Sequence, residues 1–114
     1  MRIIYKLKIF LHKIKNYYLR KKNGAGCCDI YSLYYYLGKK ILKPLKLFRK
    51  NLNGFPVAYI GKRQMTMKDW ENIIDKMIYA FESIELDEKG KKVNYKKQQE
   101  GFKLFGKWFT HLFL

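Results

Sequence analysis

Apolar residues recur every three or four positions through most of this 114-residue chain, and no other feature constrains its fold as much. That spacing places side chains on one face of an α-helix, whereas a half-buried strand needs strict alternation. Four stretches follow the helical spacing, and residues typical of turns separate them. We therefore predict an all-α protein, a small bundle of about four helices in which residues 1–114 form a single domain.

The first stretch predicts a basic amphipathic N-terminal helix over residues 1–22. Its apolar stripe is made of Ile3, Leu7, Phe10, Leu11, Ile14 and Tyr18. Such a helix can pack on a core, lie on an anionic membrane or dock into a partner's groove. Tyr5 and Ile9 fall on its polar side and blur the division into two faces. We therefore favour a core helix with a basic exterior, which Gly24 and Gly26 would end.

The second stretch predicts a helix that Asp29 caps, since its carboxylate can accept backbone N–H groups at a helix start. Pro44 falls inside the apolar pattern, where it removes one N–H donor and clashes with the carbonyl of Lys40. We expect the helix to be kinked or broken near Pro44 and to end at about Asn51. Residues 57–60 are compatible with a short extended segment, but one isolated strand does not make a sheet.

The third and fourth stretches predict the core. Thr66 and Asp69 have the spacing of a capping box, and the third helix buries Trp70, Ile73, Ile74, Met77, Ile78, Phe81 and Ile84. The fourth has a stripe of Tyr95, Phe102, Phe105, Trp108, Phe109 and Leu112. Gly101 and Gly106 interrupt it, and glycines inside a helix usually mark close packing or a local break.

The charge is strongly asymmetric. The chain has 25 Lys and Arg against nine Asp and Glu, a net charge of +16. Its first 63 residues hold 16 of the basic residues and one acid, Asp29, while the remainder is almost neutral. Such an excess favours an anionic partner, because it otherwise destabilises the compact state by self-repulsion.

The predicted ligand site is the outer face of the second helix. Helical spacing groups four lysines there with two tyrosines: Lys39, Lys43, Lys46, Lys50, Tyr35 and Tyr36. Ammonium groups neutralise phosphates, and tyrosine rings stack on bases. The basic run Arg20, Lys21 and Lys22 is a second candidate for phosphate contacts. A solvated face in a lysine-rich proteome is the alternative explanation.

Other chemistry has little support in the sequence. His12 and His111 are isolated, and the adjacent Cys27 and Cys28 lack the spacing of a zinc or redox pair, so we predict no metal, no cofactor and no disulfide framework. Glu71 and Asp75 share a face, but surface ion pairs explain them more simply than catalysis. We find neither a signal peptide nor an apolar run long enough to span a bilayer, and expect a cytoplasmic protein.

Residues 26–114 resemble a recurrent group of small tailed-bacteriophage proteins without an assigned activity. The resemblance rests on residues 29–33, on residues 36–38 and 41–46, on the turn Gly54-Phe55-Pro56, on Trp70 with residues 75–82, and on residues 100–105. It implies a phage or prophage origin and an α-helical fold, and it supplies no catalytic residues. It also suggests that the cationic surface counters host immunity.

Together these features lead to one functional hypothesis and one alternative. The hypothesis is a non-enzymatic phage accessory protein in the host bacterial cytoplasm. It would bind DNA, RNA or a cyclic nucleotide through its basic, tyrosine-interleaved surface and act by sequestration or occlusion. The alternative is an interaction module that binds an acidic host or virion protein through its first two helices. We do not expect a membrane surface as partner, and a homo-oligomer stays open.

Overall fold

The computed structural model describes residues 2–26 and 28–114. Within them the elements are α1 (Arg2–Asn23), a 3₁₀ turn (Asp29–Ser32), α2 (Leu33–Lys50), β1 (Tyr59–Ile60), β2 (Arg63–Gln64), α3 (Met67–Glu88), α4 (Tyr95–Trp108) and a second 3₁₀ turn (Phe109–His111). The predicted all-α class with four helices is confirmed. In the part of the chain that the structure describes, no helix has both the length and the apolar character for a bilayer crossing.

The chain divides into two compact units inside α2. Tyr36 ends the first unit and Leu37 starts the second. The first unit contains α1, the turn Asp29–Ser32 and the first turn of α2; the second contains the rest of α2, the hairpin, α3 and α4. The prediction of a single domain over residues 1–114 stays a prediction.

α1 forms as predicted but does not join a core. Gly24 has a φ of +81°, and its N–H donates to the carbonyl of Arg20 at 3.0 Å, so this glycine ends the helix as expected. No residue of α1 is buried. Exposure along the predicted apolar stripe runs from 49% at Ile14 to 82% at Ile3. The expectation of a core helix is therefore wrong, because helical spacing defines a face without saying what covers it.

Asp29 does not cap α2. Its Oδ2 accepts the N–H of Gly26 at 2.6 Å, and its two oxygens accept Nε and Nη2 of Arg20, both at 2.7 Å. A bidentate pair with a guanidinium is stronger than a neutral hydrogen bond, and it directs the carboxylate away from the helix start. The chain instead passes through the 3₁₀ turn into α2. α2 continues through Pro44 without a break, so only the kinked form of that prediction remains.

A small hairpin links α2 to α3, and the sequence prediction missed it. Tyr59 pairs with Gln64 and Ile60 with Arg63 in antiparallel register. Gly61, the first of the two loop residues, has a φ of +63°, which is the sign that a type II′ hairpin turn needs at that position. The extended segment expected near Ile60 therefore has a partner strand after all.

α3 begins and packs as predicted. The N–H of Asp69 donates to Oγ1 of Thr66 at 3.3 Å, and Oδ2 of Asp69 accepts the N–H of Thr66 at 2.9 Å, which completes the capping box. The predicted core face is buried at every position except Ile78, which is half-buried. This face forms most of the core of the second unit.

α4 packs closely on α3 at Gly101. A Cβ at this position would overlap the carbonyl oxygen of Lys76 and lie 2.6 Å from Cβ of Ala80, so the prediction of close packing is confirmed there. A Cβ at Gly106 would meet nothing within 4 Å, and α4 continues through that residue. Gly106 therefore marks neither close packing nor a break.

Aromatic rings complete the contact between α3 and α4. Phe81 packs edge-to-face on Phe102 and on Phe105, with centroid distances of 5.3 and 4.9 Å, and Trp70 packs in the same way on Trp108 at 5.8 Å. Edge-to-face pairs add to the free energy gained from burial alone. Only part of the aromatic stripe predicted for the fourth helix belongs to the core: Trp108 is buried and Phe102 and Phe105 are half-buried, whereas Tyr95 and Phe109 are each 59% exposed.

Candidate functional site

The predicted lysines of the second unit lie on the outer side of α2. The inner side is formed by Gly38, Leu42 and Leu45, which are buried. A Cβ at Gly38 would lie 3.0 Å from Cδ1 of Ile84, so α2 approaches α3 closely at this glycine. All four predicted lysines, Lys39, Lys43, Lys46 and Lys50, are exposed.

Lys46 is paired with an acid. Nζ of Lys46 lies 2.8 Å from Oε1 of Glu82 on α3. The two side chains are 52% and 40% exposed, so this pair contributes little to stability. It does neutralise Lys46. We call the other three predicted lysines the α2 lysine row: Lys39, Lys43 and Lys50.

Arg49 pairs with two more acids of α3. Its Nε donates to Oδ1 of Asp75 at 2.9 Å, and its Nη2 lies 3.5 Å from Oε2 of Glu71. The hydrogen bond to Asp75 raises the pKa of Arg49 above its ordinary value. Glu71 and Asp75, which share a face as predicted, are therefore ion-pair partners of Arg49. This confirms the ion-pair interpretation of the α3 acids.

These pairings leave part of the α2 lysine row without an acid. Among residues 2–26 and 28–114, no Asp or Glu forms an ion pair with Lys43 or Lys50. Residues 37–114 contain 17 basic and eight acidic side chains, and three acids of α3 already pair with Lys46 and Arg49. Lys43 and Lys50 consequently carry positive charge that no described acid compensates.

Two of the predicted site residues of the first unit, Arg20 and Tyr36, contact each other. The guanidinium of Arg20 binds Asp29 and lies over the ring of Tyr36, with Cζ 5.2 Å from the ring centroid. The hydroxyl of Tyr36 donates to the carbonyl of Gly24 at 2.9 Å. Arg20 and Tyr36 thus hold the segment that follows α1. Their predicted roles in ligand binding stay predictions.

The remaining predicted residues of this unit lie nearby in sequence. Nζ of Lys21 is 4.7 Å from the ring centroid of Tyr17, and Nζ of Lys22 is 6.0 Å from that of Tyr18. Both lysines are exposed, and Tyr35 is half-buried. The two lysines can still contact an anion, because a cation–π contact at an exposed site is weak, about 0.5–1 kcal/mol.

Three grooves of the second unit offer an alternative kind of site, but none contains the α2 lysine row. One of about 390 Å³ has mixed charge and includes Lys76 and Glu100, which are paired at 2.9 Å. A second of about 390 Å³ is mainly apolar and lies between α2 and the end of the chain. The third, of about 200 Å³, includes Trp70 and His111. In none of them do several cations converge on one point.

No metal-binding arrangement exists in residues 2–26 and 28–114, where no three His, Cys, Asp or Glu side chains cluster suitably. Sγ of Cys28 lies 3.7 Å from Nε2 of His12 and is exposed. Cys27, the adjacent cysteine, lies outside the described residues.

No protein-family model, curated protein or solved structure matches the chain.

The sequence analysis did not identify the ion pairs that neutralise some of the basic side chains. It grouped Lys46 with the other lysines, although Glu82 neutralises it, and it assigned Asp29 to α2 although Arg20 binds it. A signal for the second pairing was present, because Asp29 is the only acid in the first 63 residues. A lone carboxylate among many cations is expected to be paired.

Proposed function

We propose that this protein is a non-enzymatic binder of nucleic acid and that the α2 lysine row supplies its phosphate contacts. The observation that carries the proposal is the uncompensated charge of Lys43 and Lys50, beside acids already paired with Lys46 and Arg49. Neutralising such a row with phosphates releases the counterions condensed on the nucleic acid, and this release drives binding.

The spacing of the row suits an extended polyanion. At about 1.5 Å per residue, Lys39 and Lys50 are separated by roughly 16 Å along the axis of α2. Lys43 and Lys50 are seven residues apart and therefore point in nearly the same direction. Such a row can contact consecutive phosphates along a strand, and these contacts need no cavity. Contacts of this kind read charge and shape and carry no sequence information.

A linear arrangement favours nucleic acid over a cyclic nucleotide. A small phosphate ligand needs cations that converge around a concave site, whereas Lys39, Lys43 and Lys50 follow the outer side of one helix. Of the phosphate-bearing ligands considered from the sequence, a cyclic nucleotide therefore has less support than nucleic acid.

The biological setting that we propose is a phage accessory protein that counters host defence in the bacterial cytoplasm by sequestration or occlusion. Support for this part comes only from the resemblance of residues 26–114 to small phage proteins. The alternative partner, an acidic host or virion protein, would be distinguished by a complex that persists after nuclease treatment and in high salt.

Charge reversal on two helices tests the proposal. Lys43→Glu with Lys50→Glu should weaken binding to duplex DNA and single-stranded RNA by at least about tenfold. It should also reduce the slope of log K against log salt by about 2, one for each lost contact. The matched control is Lys96→Glu with Lys103→Glu on α4, which are also exposed and seven residues apart and give the same change in net charge. Fluorescence anisotropy over a salt series measures both quantities.

Two results would overturn the proposal. If neither DNA nor RNA binds at low salt, the α2 lysine row is a solvated face. If the α2 and α4 double variants weaken binding equally, net charge rather than the row determines affinity. A parallel titration with a cyclic dinucleotide identifies the remaining case, in which a small ligand binds with a defined stoichiometry and nucleic acid does not.

A further inference from the structure

We infer that α1 is an interfacial helix that lies on an anionic lipid bilayer through its exposed apolar stripe. The inference is independent of the nucleic-acid proposal, because it concerns a different unit and a different face. It also revises the sequence-based expectation about membranes, which depended on α1 packing against a core.

Ile4 and Tyr17 extend the six-residue stripe predicted from the sequence to eight residues, and the extended stripe is continuous over the first five turns of α1. At 3.6 residues per turn its members occupy an arc of roughly 140°, wider than the ~100° face that a surface helix commonly turns to a core. All of them are exposed, from 49% to 82%, and they are Ile3, Ile4, Leu7, Phe10, Leu11, Ile14, Tyr17 and Tyr18. So large an apolar surface on a single helix marks an interaction site.

The segment that directly follows α1 contacts the other side of the helix. His12, Asn16 and Arg20 follow one another at four-residue intervals on the side away from the stripe. Sγ of Cys28 lies 3.7 Å from His12, and Arg20 binds Asp29 at 2.7 Å. A Cβ on Gly26 would lie 2.5 Å from Oδ1 of Asn16. The chain therefore returns along the polar side, and its own contacts leave the apolar stripe uncovered.

The charge of α1 indicates an anionic partner surface. Residues 2–23 contain eight Lys or Arg and no acid. Lys6 and Lys13 border one side of the stripe, and Lys8 and Lys15 border the other. With the stripe at the level of the acyl chains, lysines on both borders reach up to the headgroup phosphates. The headgroups of an anionic bilayer can therefore pair with the lysines on both borders of the stripe.

A lipid surface fits this helix better than a protein groove. A helix that docks in a groove uses a few anchors at positions i, i+3 or i+4, and i+7, whereas eight apolar side chains are presented here. Tyr17 and Tyr18 end the stripe with the ammonium groups of Lys21 and Lys22 over their rings. Amphipathic rings accompanied by cations are typical of the headgroup level of a membrane.

Vesicle flotation of the full-length chain tests the inference. The protein should float with vesicles of equal parts phosphatidylglycerol and phosphatidylcholine and much less with pure phosphatidylcholine. Two substitutions form a matched pair: Ile14→Glu lies on the stripe and Ile9→Glu on the opposite side, and the residues are 49% and 40% exposed. Both change the charge equally. Ile14→Glu should partition at least about tenfold less than Ile9→Glu, because only the first removes an apolar side chain from the lipid.

A second pair, Phe10→Glu against Tyr5→Glu, repeats the comparison with aromatic residues. Circular dichroism of all four variants checks that α1 still forms. Failure of the wild-type protein to float with the anionic vesicles overturns the inference, as does equal loss of flotation in both members of each pair. Capture of the helix by an acidic protein without vesicle binding would also overturn it.

Discussion

Arg49 on α2 donates a hydrogen bond from Nε to Oδ1 of Asp75 on α3 at 2.9 Å. The same guanidinium lies 3.5 Å from Glu71, and the neighbouring Lys46 pairs with Glu82 at 2.8 Å. The acids of α3 that face α2 are therefore bound to two cations at one border of the helix. Lys43 and Lys50 lie farther round the helix, and in the part of the chain that the structure describes no acid forms an ion pair with them.

Removal of the acid that neutralises Lys46 should enlarge the α2 lysine row. In Glu82→Gln the ammonium group of Lys46 becomes available for a further phosphate contact, so the salt slope of nucleic-acid binding should increase by about 1 and affinity should rise severalfold. Glu100→Gln is the control, because it has the same charge change and releases Lys76 on another side of the unit. Equal gains in the two variants would mean that only net charge matters.

From the packing of α4 on α3 we expect alanine substitutions at two glycines of α4 to have opposite effects on stability. Gly101→Ala should destabilise the protein by about 1–3 kcal/mol, because the new Cβ would overlap the carbonyl of Lys76 and crowd Ala80. Gly106→Ala meets nothing within 4 Å and should stabilise it by up to about 1 kcal/mol through helix propensity. Urea denaturation at equilibrium measures both free energies of unfolding. A Gly101→Ala variant as stable as wild type would contradict the close approach.

The capping box of α3 predicts how stability depends on pH. The hydrogen bond from Arg63, followed by that from the backbone of Thr66, holds the pKa of Asp69 well below its ordinary range. A carboxyl whose pKa is lowered by folding stabilises the protein above its unfolded value of about 4. That stabilisation is lost as pH falls through the lower folded pKa. Asp69→Asn should therefore be less stable than wild type at neutral pH, and the difference should shrink in acid.

NMR titration of the Asp69 carboxyl provides the direct measurement. Arg63→Gln removes the largest cause of the shift and should raise the pKa of Asp69 towards its ordinary value, while the bond from the N–H of Thr66 keeps part of the effect. An unchanged pKa in Arg63→Gln would show that the 2.5 Å contact between Arg63 and Asp69 is not formed in solution.

Local rules predicted the parts of this fold that local contacts determine. Thr66 with Asp69 identified the start of α3, and the spacing from Trp70 to Ile84 identified its core face, because caps and helical faces depend on neighbours in sequence. Contacts between elements far apart in sequence were not predictable in this way. The spacing of α1 matched that of α3, yet α1 buries nothing, since the pattern does not encode which apolar faces meet.

Only part of the candidate site could likewise be predicted from the sequence. An outer face of α2 with Lys43 and Lys50 follows from helical geometry alone. The loss of Lys46 to Glu82 could not be predicted, because the two residues are 36 positions apart and meet only through the packing of α2 on α3.

The pair of Arg20 and Asp29 leads to a final prediction about the segment that follows α1. The side chain of Asp29 is only 9% exposed and accepts both Arg20 and the N–H of Gly26. Hydrogen bonds to a charged group contribute about 1.5–3 kcal/mol. Asp29→Asn should therefore raise the hydrogen-exchange rate of the Gly26 amide by at least about tenfold and leave amides of α3 unchanged. Arg20→Lys keeps the charge but cannot form two parallel bonds, so its effect should be intermediate. Unaltered exchange at Gly26 in both variants would show that this carboxylate does not hold the segment.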